Sequence, residues 1–160
     1  METTAKDVMK TDFRTLHPDL PISEAVDIFL QANAREGRRV FGLMVTEADN
    51  RLVGMLSMYD ILMYMRPKHI HIWGMMEDID VNGIIQNACD RIKPLQVGDL
   101  MTSDVVTVAP QTHLMMILDI MVKKHIRRLP VLEGDKIVGI VYFSDLFEHV
   151  LDRLACPAPE

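Results

Sequence analysis

Cysteine is almost absent: Cys89 and Cys156 are the only two in 160 residues. Two thiols without metal-ligand spacing exclude a disulfide framework and a zinc site of the common kinds, and predict reduced cysteines. Basic residues are in the minority, 17 Lys and Arg against 23 Asp and Glu, for a formal net charge of −6. With no basic stripe to displace counterions from phosphates, no nucleic-acid partner is expected. No apolar run is long enough to span a bilayer, and the opening Met1-Glu-Thr-Thr-Ala-Lys-Asp lacks the basic and apolar regions of a signal peptide. The expectation is a cytoplasmic chain with no membrane partner. Missing too are the Gly-x-x-x-x-Gly-Lys-Ser/Thr phosphate loop, the Gly-x-Ser-x-Gly elbow and any Cys/His pairing, and Ser144 and His149 sit five apart on one expected helix. Nothing in the chain calls for an enzyme.

What is present is ordinary globular material, 49% hydrophobic and 25% charged, enough for one good core or two small ones. Thirteen methionines is a high count. Met101, Met116 and Met121 fall where core-facing residues are expected, as flexible filler.

The clearest stretch runs from Lys124 to Leu146. Val131 and Leu132 form an apolar run, Glu133 to Lys136 carry the Gly and Asp of a tight turn, and Ile137 to Val141 form a second run, which together predict a β-hairpin. After Val141 the apolar spacing becomes helical at Leu146, Phe147, Val150, Leu151 and Leu154, so a buried strand feeds a helix. The first turn of that helix offers unpaired N–H groups and a dipole that favours anions, and Arg127 and Arg128 lie just upstream.

The pattern occurs twice. Residues 7 to 30 laid over 99 to 122, an offset of 92, match at Asp7/Asp99, Met9/Met101, Asp12/Asp104, Thr15/Thr107, Pro18/Pro110, Asp27/Asp119 and Ile28/Ile120. Further on the offset is 85, and Val53-Gly54-Met-Leu-Ser57-Met-Tyr-Asp60 lies over Val138-Gly139-Ile-Val-Tyr142-Phe-Ser-Asp145. Duplication on this scale predicts two copies of one supersecondary block, each completing its core on the other. Each copy reads β-α-β-β-α. Its strand (Phe13 to His17; Val105 to Val108) is followed by a helix with an apolar face. That face is Ile22, Ala25, Val26, Phe29 and Leu30 in one copy and Leu114, Ile117, Leu118, Met121 and Val122 in the other. Thr112 is the expected N-cap of the second helix, and Pro21 suits the first turn of its counterpart. About seven extra residues, the difference of the two offsets, fall between helix and hairpin of the first copy, in the polar stretch Gln31 to Arg39.

The divisions expected are 1–66 for the first domain, 67–96 for a connector, 97–154 for the second domain and 155–160 for a tail. The connector holds His69-x-His71, Trp73, the acidic Glu77-Asp78-Ile-Asp80 and an amphipathic piece with Ile84, Ile85, Ala88 and Ile92, which reads as structured. His69 and His71 have a spacing that can ligate a metal, but no third ligand is tied to them, so no metal is expected.

In their order, twice over, these motifs resemble the cystathionine β-synthase (CBS) domain family in its tandem form, the Bateman module. The residues that carry the resemblance are Asp99-Leu-Met-Thr-Ser-Asp-Val-Val-Thr107-Val-Ala-Pro110, Ile126-Arg-Arg-Leu-Pro130-Val and Gly139-Ile-Val-x-x-x-Asp145, with Asp7-Val-Met9, Pro18 and Gly54-Met-Leu-Ser57-x-x-Asp60 in the first copy. The resemblance implies an α/β fold of two β-α-β-β-α domains about a pseudo-twofold axis, with clefts that take AMP, ADP, ATP or S-adenosylmethionine. It implies a flat homodimer through exposed helices, with the Phe147 to Leu154 face as a contact, and an effector protein of unknown identity that receives the signal. No cofactor is required beyond the adenosine ligand. Residue by residue, Asp60 and Asp145 take ribose hydroxyls and Ser57 lies near ribose and phosphate. Thr107, Arg127, Arg128, Leu129 and Pro130 line the pocket. Tyr142 stands where the motif has a small hydroxyl, and Val40-Phe41-Gly42-Leu43 offers no arginine aligned with Arg127, although Arg38 and Arg39 are near.

Elementary chemistry fits these roles: a first-turn carboxylate accepts hydroxyls, arginines and a helix N-terminus neutralise phosphate, and apolar strand residues sandwich adenine. Ser57-x-x-Asp60 is equally a capping box that needs no ligand. The competing expectation is therefore an interaction or dimerisation scaffold with empty or self-filled clefts.

Overall fold

The computed structural model describes residues 2–37, 39–67 and 80–155. The sequence expectations at Arg38, His69, His71, Trp73, Glu77, Asp78 and Cys156 fall outside the described residues. In chain order the elements are α1 (Ala5–Val8), β1 (Thr15–Leu16), α2 (Ile22–Glu36), β2 (Gly42–Glu47), a 3-10 turn (Ala48–Asn50), β3 (Arg51–Ser57), α3 (Met58–Met65), α4 (Val81–Ile92), α5 (Val97–Leu100), α6 (Leu114–Lys124), β4 (Arg128–Glu133), β5 (Lys136–Tyr142) and α7 (Phe143–Leu154). The fold is mixed α/β. No helix among the described residues is long and apolar enough to cross a membrane.

The chain divides into two compact units that are not contiguous in sequence. The first comprises the described residues of 14–48 and 52–105, and the second those of 2–13, 49–51 and 106–155. Each unit thus takes its body from one repeat and a short N-terminal arm from the other.

In the first unit β1 runs parallel to β2, Thr15 opposite Met44 and Leu16 opposite Val45, and β3 lies on the other side of β2. Leu16, Ile22, Ala25, Phe29, Val45 and Leu56 build the core, joined from the arm by Val97 and Leu100. Helix α4 buries Ala88 and Ile92 while Ile85 stays exposed, so the apolar stripe of the connector covers one edge of this core.

In the second unit β4 and β5 form the hairpin, closed by Gly134 and Asp135 between the paired Glu133 and Lys136. Gly134 has φ 68°, a conformation glycine adopts without steric cost. Strand β4 starts three residues earlier than the apolar run suggests and takes in Arg128, Leu129 and Pro130. It tolerates proline because, among the described residues, its outer side pairs with Val108 alone: Val108 N–H donates to Pro130 O (3.0 Å) and Leu132 N–H to Val108 O (2.9 Å). The expected strand Val105 to Val108 is reduced to that single bridge. Ala5, Val108, Leu114, Ile117, Met121, Leu129, Val131, Val141 and Leu146 form the core, Ala5 coming from the arm.

Both α2 and α6 bury narrower faces than their apolar spacing indicates. Ile22, Ala25, Phe29 and Ala32 are buried in α2, and Leu114, Ile117 and Met121 in α6. Leu30 and Val122, 60% and 53% exposed, sit about 80° round their helices from Ile22 and Leu114, outside the arc that meets the sheet. Val26 is likewise exposed, and Met116, at 55%, is surface and not filler. The N-cap of α6 is His113, whose Nδ1 accepts from Met115 N–H (3.1 Å); Thr112 Oγ accepts instead from Ala109 N–H (3.1 Å). Pro21 is itself the N-cap residue of α2.

The seven extra residues of the first copy are distributed. Helix α2 has 15 residues against 11 in α6, which accounts for four. Two more lie between the C-cap and the next strand, and one is in the hairpin turn, where Asp49 and Asn50 take φ of 62° and 59°. At the C-caps, Gly37 (φ 64°) is matched by His125 (φ 52°). A left-handed conformation costs an L-residue roughly 1–2 kcal/mol, of which the extra unfolded-state freedom of glycine takes back about 0.4–1 kcal/mol. His125→Gly is therefore expected to raise the melting temperature by about 1–4 °C in thermal denaturation, and a fall would refute the strain at this cap.

The arms are seated alike. Ala5 N–H donates to Thr112 O (2.8 Å) and Lys6 N–H to Pro110 O (3.0 Å), as Val97 N–H does to Leu20 O (2.8 Å) and Gly98 N–H to Pro18 O (2.8 Å). Asp7 closes α1 by accepting from Thr4 N–H (2.8 Å) and Thr4 Oγ–H (3.1 Å). The backbone bond, then the hydroxyl, with lesser help from the charges of Lys6 and His149, hold the Asp7 carboxyl below its ordinary value of 3.8. A group depressed in the folded state stabilises above its unfolded pKa and loses that contribution as pH falls through the folded one. The melting-temperature gap between the wild type and Asp7→Asn should thus be present at neutral pH and close as the pH is taken below 3.8. A gap independent of pH would refute the assignment.

Candidate functional site

Each unit has a strand that runs straight into a helix, and at that junction the two repeats place matching groups. In the first unit β3 ends at Ser57, the N-cap of α3, and Asp60 is the third residue of the helix. Ser57 N–H and Oγ–H both donate to Asp60 Oδ2 (2.8 Å each), and Asp60 N–H donates back to Ser57 Oγ (3.1 Å). This is a complete capping box, and both residues are half-buried. Met58 N–H donates to Phe41 O (2.8 Å), which brings the segment before β2 against the start of α3.

The arm closes the junction from another side. Met55 N–H donates to Thr102 O (2.9 Å) and Thr102 N–H to Met55 O (2.8 Å). Gly54 permits this approach: a Cβ there would stand 2.7 Å from Met101 Sδ and 2.8 Å from Thr102 O.

The second unit repeats the arrangement. Strand β5 ends at Tyr142, the N-cap of α7, which makes no side-chain cap bond. Asp145 is the third helical residue, half-buried, with Oδ2 shut off from solvent. Phe143 N–H donates to Arg127 O (2.8 Å), so Arg127 is the structural counterpart of Phe41. Arg128 lies opposite Tyr142 in the hairpin. Lys10 N–H donates to Ile140 O (2.8 Å) and Ile140 N–H to Lys10 O (3.0 Å), the counterpart of the Met55 and Thr102 pair. A Cβ on Gly139 would meet Met9 Sδ at 2.5 Å and Lys10 O at 3.1 Å.

The residues singled out from sequence fall into three groups. Ser57 with Asp60, and Arg127 and Arg128 with Asp145, are gathered at the two junctions. Leu129 and Pro130 are buried behind the second, Leu129 inside the core and Pro130 with its carbonyl bonded to Val108. Thr107 is exposed beside Val108. Sequence reasoning placed Phe41 only in the segment aligned with Arg127, and missed the role of the arm residues around Lys10 and Thr102. The matched Met9/Met101 and Gly54/Gly139 supply a long side chain and an open position in each repeat, but their pairing across repeats is seen only in the structure.

Chemically, each junction presents a carboxylate on a first helical turn, with arginines beside the second, while Met58, Asp60 and Phe143 N–H already donate within the protein. Among the described residues no three His, Cys, Asp or Glu side chains converge as a metal site.

Comparison with known proteins follows the sequence repeats. The CBS domain model matches residues 5–67 and 97–152. The CBS domain-containing protein CBSX1, chloroplastic, of Arabidopsis thaliana is 28% identical over 145 residues, 82% of this chain and 56% of that protein. The chain spans about half the length of the curated relatives it matches first. Among solved structures, CBSX2 from Arabidopsis thaliana aligns with a TM-score of 0.74 at 22% identity, over 98% of this chain and 100% of that one. The complex of CBSX2 with AMP aligns at 0.69 and 22%, over 95% and 98%. The CBS domain pair of MJ0100, in complex with 5-methylthioadenosine and S-adenosyl-L-methionine, aligns at 0.67 and 21%, over 96% and 99%.

Proposed function

Since the chain belongs to the CBS domain family, we propose that it is a regulatory module that binds an adenosine ligand, AMP, ADP, ATP or S-adenosylmethionine, and passes ligand status to a protein partner. The observation that carries this reading is the repetition, in both units, of a first-turn carboxylate, Asp60 or Asp145, beside a strand end held by the other repeat's arm. The relatives bound to AMP and to S-adenosylmethionine support the ligand class. Asp60 and Asp145 receive ribose hydroxyls, Ser57 lies near ribose and phosphate, and Arg127 and Arg128 neutralise phosphate. Thr107, Leu129 and Pro130 form and back the wall of the second site.

No catalytic step belongs to this function, and no cofactor besides the ligand. The reading places the protein in the cytoplasm, where adenosine nucleotides are available. A ligand can bias the partner only by binding two conformations unequally, and the arms, held by a few backbone bonds, are the parts that such a bias would act on. A homodimer is part of the same proposal. Helix α7 leaves Phe147, Leu151 and Leu154 exposed, and α3 leaves Tyr59, Leu62 and Met63, apolar faces that a second copy would cover.

The test is thermal denaturation with a panel of AMP, ADP, ATP and S-adenosylmethionine. At least one is expected to raise the melting temperature in a concentration-dependent way. A specific observation favours the competing scaffold reading: Ser57 and Asp60 already engage one another, and Tyr142 fills the place of a hydroxyl. An unchanged melting curve across the panel would decide for the scaffold.

A further inference from the structure

The second unit contains a cleft of about 330 Å³ that touches none of the residues assigned to adenosine. Its floor is apolar, Met9, Pro110 and Val138, and its rim carries Thr4, Lys6, Gln111 and Glu133. That volume lies at the lower end of small-ligand sites. The rim sorts by hydrogen-bonding capacity. Lys6 and the Gln111 amide donate; Glu133 accepts, and so does the Thr4 oxygen, whose proton already goes to Asp7. Neither Lys6 nor Glu133 forms an ion pair with another described residue, so a cation and an anion face one cleft without neutralising each other.

Comparison between the repeats separates packing from recognition. The matching positions of the first unit are Met101, Pro18, Val53 and Glu47, identical in type to Met9, Pro110, Val138 and Glu133. A shared structural role accounts for those four. It does not account for Lys6, whose counterpart is Gly98, where a Cβ would stand 3.1 Å from Pro18 O, or for Gln111, whose counterpart is Asp19. Thr4 has Gln96 as its counterpart, so an amide occurs in the first unit too, at another position; the cation is peculiar to the second unit.

We propose that this cleft binds a free aliphatic α-amino acid, its carboxylate held by Lys6 and Gln111, its ammonium by Glu133 and Thr4, and its side chain on Met9, Pro110 and Val138. The proposal is independent of the adenosine reading. It is tested by ¹H–¹⁵N NMR titration of the full chain with L-leucine, against 4-methylpentanoate, which lacks the ammonium, and 3-methylbutylamine, which lacks the carboxylate. Saturable shifts at the amides of Lys6, Met9 and Gln111 are expected with L-leucine, and binding at least about fivefold weaker with each analogue. Lys6→Met and Glu133→Gln should each weaken L-leucine about fivefold and leave the melting temperature and any response to AMP as in the wild type. Absence of saturable shifts with L-leucine, equal binding of 4-methylpentanoate, or unchanged affinity in both variants would overturn the proposal.

Discussion

Gly54→Ala is expected to destabilise the chain by about 3 kcal/mol, and Gly139→Ala by only about 1 kcal/mol, although the two glycines occupy the same place in the two repeats. Neither has a positive φ, so alanine is conformationally allowed at both, and the cost comes from what the new methyl meets. At Gly139 the nearest atoms belong to the flexible Met9 thioether, with the Lys10 carbonyl at 3.1 Å. At Gly54 the Thr102 carbonyl, a backbone atom, is already at 2.8 Å and takes part in the paired hydrogen bonds with Met55. A side chain can swing aside; a carbonyl cannot move without breaking the bonds that seat the arm.

Met9→Ala should therefore rescue most of the Gly139→Ala loss, whereas Met101→Ala should rescue little of the Gly54→Ala loss. In a chain of this size the difference amounts to about 4–8 °C between the two glycine variants in thermal melts. Equal losses, or equal rescue, would mean that the arms do not rest on these strands as described.

The second large effect concerns ligand response. With AMP at a hundredfold excess over its dissociation constant, binding to the folded state alone adds about 2.7 kcal/mol, or about 5–11 °C in melting temperature. The double variant Asp60→Ala, Asp145→Ala should lose most of that increment at the same AMP concentration, keeping about 0.4 kcal/mol. Each carboxylate otherwise accepts charge-assisted hydrogen bonds worth about 1.5–3 kcal/mol, and loss of one set weakens binding on the order of a hundredfold.

Because Asp60 also closes the capping box with Ser57, its removal lowers the ligand-free melting temperature as well, with a cap worth about 1 kcal/mol. Ser57→Ala separates the two roles. It should show the cap loss while retaining an AMP-induced rise. If Ser57→Ala and the double aspartate variant both respond to AMP as the wild type does, the carboxylates serve the helices alone.

How much was legible in the sequence depends on whether the signal was local. The hairpin at Glu133 to Lys136, the strand-to-helix junctions at Ser57 and Tyr142, and the amphipathic stripe ending at Ile92 follow from turn chemistry and periodicity, which act within a few residues. Helix faces were read too wide at Val26, Leu30 and Val122, since an apolar spacing does not say how broad the opposing surface is. Seven surplus residues were visible, but their division between a longer α2, its C-cap loop and the hairpin turn was not, because α-helix and polar loop share the composition of Gln31 to Arg39.

The exchange of arms was not legible at all. Offsets of 92 and 85 are the same whether Met9 packs on its own repeat or on the other, and only contacts distant in sequence tell them apart. The candidate site shared this fate in part: Asp60 and Asp145 were found from the repeated motif and Arg127 and Arg128 from the second copy, while Lys10 and Thr102 came into view only once the arms were placed.

The central claim is that the first-turn carboxylates hold an adenosine ribose, and a crystal structure of the full chain grown with AMP tests it most directly. The expected result is a ribose whose hydroxyls lie within hydrogen-bond distance, about 2.5–3.0 Å, of the Asp60 or Asp145 carboxylate, with phosphate toward the helix start. AMP bound elsewhere, with neither carboxylate within hydrogen-bond distance of it, would contradict it.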